Sequence, residues 1–125
     1  MQLILDTSII IEIERKNQEI IDKVEELKEN YPAHPLISFI TYSEFLEGIY
    51  EKSEKNQQKA KRFIELFEVI QTTKKTADNL VFLKKRYELP VPALLIAAQV
   101  MEISGTLVTK DKDFEQIKEI DKIIL

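Results

Sequence analysis

No cysteine occurs among the 125 residues, which excludes disulfides and thiolate zinc sites and suits a reducing cytoplasm. Tryptophan is absent too, and with only 2 Gly and 4 Pro there is little room for linkers or disordered tails. The apolar runs "SIII" and "PLISFI" are too short to cross a bilayer, and "MQLILDTS" has no basic region ahead of its apolar residues. Neither a signal peptide nor membrane association is therefore expected, and the expected compartment is the cytoplasm. Nor is there an excess of basic charge. Lys and Arg number 18 against 22 Asp and Glu, a net charge of −4, which argues against a protein that coats nucleic acid and leaves room for a local basic patch.

What is present fits a soluble globular chain, 44% hydrophobic and 32% charged. The length suits one domain over residues 1–125, enough to bury about two-thirds of the unfolded surface around one core. The bias toward Ile, Glu and Lys resembles thermophile usage.

Residues 2–5 read as a buried strand, and "TSIIIEIER" as a helix capped by Thr7 or Ser8. Helical spacing of Ile20, Ile21, Val24 and Leu27 predicts an amphipathic helix over 17–29, closed by Asn30 and broken by Pro32. "PLISF" (35–39) reads as a strand that feeds a helix, for which Thr41 with Glu44 three residues later makes a capping-box signature. Further on come a helix over 56–67, a strand over 68–72 and a helix over 76–87. "LPVPALLIAAQVMEISG" has Pro92 in its first turn and Gly105 as its expected left-handed terminator, so it reads as a largely buried helix. "TLVT" (106–109) is a strand, 110–117 a turn with a brief helix, and 122–125 an edge strand. Strands alternating with helices imply an α/β fold, with a mostly parallel sheet of 4–5 strands and helices on both faces.

In such a sheet the functional crevice lies beyond the carboxyl ends of the strands. Asp6 follows the first strand, Glu44 belongs to the helix after the second, and Asp111 and Asp113 follow "TLVT", so all four can converge on one edge. Like charges about 5 Å apart repel by roughly 3 kcal/mol per pair at an effective dielectric near 20, and a cation is what makes such a cluster tolerable. Oxygen-only donors suit a hard divalent ion, Mg²⁺ or Mn²⁺, which activates water and stabilises a leaving oxygen. The chemistry suggested is phosphodiester hydrolysis. Taken singly, Glu44 also reads as a capping residue and the two later aspartates as turn formers. Ser8 and Thr109 are candidate supporting hydroxyls, or simply a helix cap and a strand-end hydroxyl. Lys110 and Lys112, with Lys84, Lys85 and Arg86, can meet phosphates or remain ordinary solvated surface.

These segments resemble the PIN-domain ribonucleases, and among them the VapC-type toxins of toxin–antitoxin pairs. "LILDTSIII" resembles the opening strand with its first metal acid at Asp6; "ISFITYSEFLEGI" resembles the second motif, with the acid Glu44 and the small residue Gly48; "LLIAAQVMEISGTLVTKDKDF" resembles the third and fourth, including Thr109, Asp111 or Asp113, and Phe114. The resemblance implies a PIN-like three-layer fold and a metal-dependent endoribonuclease acting as a toxin. It also implies catalytic acids Asp6, Glu44 and Asp111 with Asp113 as a further ligand, and as partners an RNA substrate, a cognate antitoxin and a second copy of the chain as a homodimer. One departure matters: the third metal-binding aspartate of the family falls at Ala93, whose methyl group cannot coordinate a cation. It is either an introduced inactivating change or a natural loss, and little or no cleavage is expected of this chain. The alternative reading is a non-catalytic PIN-fold protein that binds RNA or an antitoxin. Receiver-like and dehalogenase-like folds fit poorly, because "LDTS" supplies one acid where each needs two.

Overall fold

The computed structural model describes residues 2–125. In chain order its elements are β1 (Leu3–Leu5), α1 (Thr7–Glu14), α2 (Gln18–Lys28), β2 (Leu36–Ser38), α3 (Phe39–Ile49), α4 (Glu54–Ile64), β3 (Glu68–Ile70), α5 (Lys74–Lys84), α6 (Val91–Ile103), β4 (Thr106–Thr109), a 3₁₀ turn (Lys112–Gln116) and β5 (Asp121–Ile124). All five strands are parallel, in the order β3-β2-β1-β4-β5.

The central strand shows how period-two side chains build two cores. Leu3 and Leu5 point to one face with Ile9, Ile10, Val24, Phe45 and Ile64, which α1 to α4 supply. Ile4 points to the other, with Leu83, Leu94, Ala97 and Phe114 from α5, α6 and the 3₁₀ turn. Both sets are buried, so β1 has no polar position until the chain leaves the sheet at Asp6. The chain passes from β1 to β2 on one side, while β4 pairs with β1 on the other. The order therefore switches at β1, and Asp6 stands at its carboxyl end.

Several boundaries differ from the sequence reading. Asp6, not Thr7 or Ser8, caps α1, because the residue leaving the strand is the one in extended conformation and its carboxylate reaches Ile9 N. Helix α3 starts two residues before Thr41: Ser38 caps it by accepting from Ile40 N, which leaves Thr41 and Glu44 inside the helix and dissolves the expected capping box. The left-handed residue closing α6 is Ser104, with φ 53, while Gly105 starts the path into β4. A serine pays for that conformation where a glycine does not. Ser104→Gly is expected to raise the thermal midpoint by about 2–4 °C, the shift that about 0.5–1 kcal/mol produces in a chain of this size; a calorimetric midpoint that stays or falls contradicts the account.

Candidate active site

Asp6 is 4% exposed, and three groups donate to its carboxylate. Ser8 Oγ donates to Oδ1 at 2.6 Å, Ile9 N donates to the same oxygen at 3.3 Å, and Thr109 Oγ1 donates to Oδ2. Burial pushes the Asp6 carboxyl above the ordinary aspartate range; the bonds from Ser8, Thr109 and Ile9 pull it back, and the charge of Asp111 raises it further. The hydroxyls also tie the β1 and β4 ends together. Ser8 Oγ accepts from Lys110 N at 3.1 Å, and Thr109 Oγ1 accepts from Asp111 N at 2.9 Å. Each therefore joins a carboxylate that needs donors to a turn whose N–H groups need acceptors.

Asp111 caps the 3₁₀ turn, and its Oδ1 accepts from Asp113 N at 2.9 Å. Glu44, half-buried on α3, accepts from Thr7 Oγ1 at 2.6 Å, and Thr7 Oγ1 is in turn 3.1 Å from Thr41 Oγ1. The sequence reading gave Thr7 and Thr41 no role in the site. Their only signal in the sequence was local, a hydroxyl beside an acid and a threonine three residues before one, whereas the contacts span 34 and 37 residues.

One cleft of about 310 Å³ gathers these groups. Asp6, Thr7, Ser8, Glu44 and Asp111 form its polar wall, and Pro90, Pro92, Ala93, Ile96 and Phe114 its apolar one. Ala93 stands in the first turn of α6, so the position expected to carry an acid faces the same cleft with a methyl group. Asp113 is exposed and does not line the cleft; its backbone N–H serves Asp111 instead. Lys110, at the rim, pairs with Glu12 Oε2 at 3.7 Å, and Lys112 is exposed. Lys84, Lys85 and Arg86 stay outside the cleft, and Arg86 pairs with Glu119 at 2.9 Å while its guanidinium lies over the Phe82 ring. Gly48 is exposed on α3, and a Cβ built there meets no atom within 4 Å, so nothing within the described chain requires it to be small.

Among the described residues no three carboxylates or imidazoles stand close enough to enclose a metal ion by themselves. The donors are nevertheless all hard oxygens, and a cation such as Mg²⁺ is commonly held by one or two carboxylates with waters completing its shell. The residues thus fit a hard divalent ion that keeps much of its water, with Ala93 withholding one donor. A larger hollow, about 600 Å³, lies beside β3 between Tyr42, Leu46, Phe67 and Val69, and its only carboxylate is Glu65. The apolar residues of α3 divide there: Phe45 and Ile49 are core, Tyr42 and Leu46 half-buried at the hollow.

A family model described as "PIN domain" matches residues 3–120. No curated protein matches the chain. Among solved structures, a chain of VapBC2 from Rickettsia felis, bound to a DNA fragment from its promoter, superposes with a TM-score of 0.84 at 22% identity, covering 100% of this chain and 99% of that one. VapBC-1 from nontypeable Haemophilus influenzae gives 0.78 at 24% identity over 99% and 98%. FitAcB from Neisseria gonorrhoeae gives 0.79 at 18% over 98% and 96%. At these identities the likeness establishes a shared fold.

Proposed function

The chain belongs to the PIN-domain family of nucleases, and from that premise we propose that it is the toxin of a type II toxin–antitoxin pair whose parent activity is metal-dependent endoribonucleolytic cleavage. In this reading Ala93 leaves the present chain with little or no cleavage. The supporting observation is the single cleft that Asp6, Glu44, Asp111 and Ala93 share. Asp6, Glu44 and Asp111 would hold Mg²⁺ or Mn²⁺, with Asp113 the more remote acid. The ion would supply a water of lowered pKa and positive charge against the leaving oxygen of an RNA phosphodiester.

The chain's own residues have separate tasks. Ser8 and Thr109 donate to Asp6, which favours its ionised form in a buried position, and through Lys110 N and Asp111 N they fix the β4 turn against it. Lys110 and Lys112 flank that turn and are suited to backbone phosphates. Replacing a carboxylate by the methyl of Ala93 removes one ligand and one negative charge, so metal affinity and cleavage fall together.

The structural neighbours are toxin–antitoxin complexes, which supports a cognate antitoxin as partner, and the half-buried apolar residues of α3 and α4 suit an antitoxin segment or a second copy of the chain in a homodimer. Ala93 itself favours one further reading, a PIN-fold protein that binds RNA or an antitoxin without cutting. Incubating a labelled structured RNA with Mg²⁺ or Mn²⁺ and either this chain or Ala93→Asp separates the two. Cutting by Ala93→Asp alone, stopped by EDTA, is the expected result; two folded proteins that both leave every RNA intact would favour the binder.

A further inference from the structure

We infer that Thr7 is a positioning residue for Glu44, holding the α3 acid in place through its γ-hydroxyl; the inference rests on the proposed metal-dependent cleavage and adds to it a group outside the acid set. Thr7 is the first residue of α1 and directly follows Asp6 in the chain, so one dipeptide carries both a cleft acid and the hydroxyl that binds another. Its Oγ1 donates to Glu44 Oε1 at 2.6 Å, a short bond of the kind an ionised acceptor makes. Thr41 Oγ1 is 3.1 Å away, wholly buried and one helical turn before Glu44 on the same face of α3. With one proton to give and a carboxylate and a hydroxyl in reach, Thr7 gives it to the carboxylate, the stronger acceptor.

The division of labour among the three hydroxyls that bond to Asp6 and Glu44 makes Thr7 distinct. Ser8 and Thr109 both donate to Asp6 and accept from the β4 turn, and neither bonds to Glu44. Thr7 alone bridges α1 to the acid of α3. Glu44 is half-buried, and among the described residues its Oε2 accepts no hydrogen bond, so one oxygen is anchored and the other remains available to a cation. A long glutamate left unanchored would spread over several rotamers, and the entropy of gathering it would be paid on binding. Thr7 reduces that cost in advance, as outer hydrogen-bond partners of ligating carboxylates do.

Thr7→Val keeps the β-branched shape and loses the hydroxyl, whereas Thr7→Ser keeps the hydroxyl. Both are made in the Ala93→Asp chain, and free Mn²⁺ is titrated by electron paramagnetic resonance, with circular dichroism to verify folding. The expected result is Mn²⁺ binding about tenfold weaker for Thr7→Val, restored to within about twofold by Thr7→Ser, and no further loss when Thr7→Val is added to Glu44→Ala. Unchanged Mn²⁺ affinity in Thr7→Val, an equal loss in Thr7→Ser, or a second tenfold loss on top of Glu44→Ala overturns the role of Thr7 while the proposed function stands. If Ala93→Asp itself binds no Mn²⁺, the proposed function falls, and the role of Thr7 with it.

Discussion

Ala93→Asp is expected to cut RNA at least about a hundredfold faster than the present chain, with cutting abolished by EDTA and again by a further Asp6→Asn. Outer-shell changes at metal sites already cost about 10–100-fold, so supplying the direct ligand that the proposed function assigns to position 93 should gain at least the upper end of that range. The gain in activity comes with a loss in stability. Position 93 lies in the first turn of α6, whose cap Pro90 offers no side-chain acceptor, so an acid there gains about 0.3–1 kcal/mol from the helix dipole. Against this it faces Asp6, Glu44 and Asp111 across one solvent-open cleft, where like charges screened by water repel by about 0.5–1 kcal/mol per pair. Repulsion wins, and without metal Ala93→Asp should melt about 5 °C below the present chain, a trade of stability against function. A higher midpoint for Ala93→Asp in EDTA would contradict it. The sign with pH follows from Asp6, whose carboxyl is raised in the folded state by burial and then by Asp111. Its protonation removes a buried charge, so its contribution to stability is present below the ordinary aspartate value and is lost as pH rises through the raised one. The gap between the two melts should therefore close on acidification through that window and open above it.

Gly105→Ala is expected to destabilise the fold by about 2–3 kcal/mol, lowering the midpoint by roughly 10 °C. An added Cβ would lie 2.7 Å from Ile4 Cδ1 and 2.9 Å from Gln2 O. The first is a side chain fully buried at the centre of the sheet, and the second is backbone already accepting from Thr106 N at 2.9 Å, so neither neighbour can move cheaply. Because β1 and β4 carry the two ends of the acid cleft, their separation would disturb the Asp6–Thr109 bond as well. A calorimetric midpoint within about 2 °C of the parent would show that the β1–β4 approach is looser than this.

The two opposite effects at neighbouring positions show where sequence reading stopped. A glycine after an apolar helix signals a left-handed terminator, and the reading assigned that role to Gly105; the left-handed residue is Ser104, and Gly105 is small because Ile4 crosses it. Local chemistry could not distinguish the two, since the deciding atom is 101 residues away in the chain. Glu44 is a similar case. The spacing from Thr41 read as a capping box, yet Ser38, at the end of β2, had the extended backbone and took the cap, turning both residues toward Thr7.

The amino-acid sequence by itself determined the alternation of strands and helices, the burial of β1 on both faces, and the appearance of Asp6 and Asp111 after strands, of Glu44 on the helix that β2 feeds and of Ala93 at the start of the apolar helix α6, because apolar periodicity and the first polar residue after a strand are local properties of the chain. Only the tertiary structure decided the strand order β3-β2-β1-β4-β5, the placing of all four positions on one cleft, and which hydroxyl serves which acid. Those depend on how strands distant in sequence pair and on which helix crosses which strand, and no window of neighbouring residues contains that information.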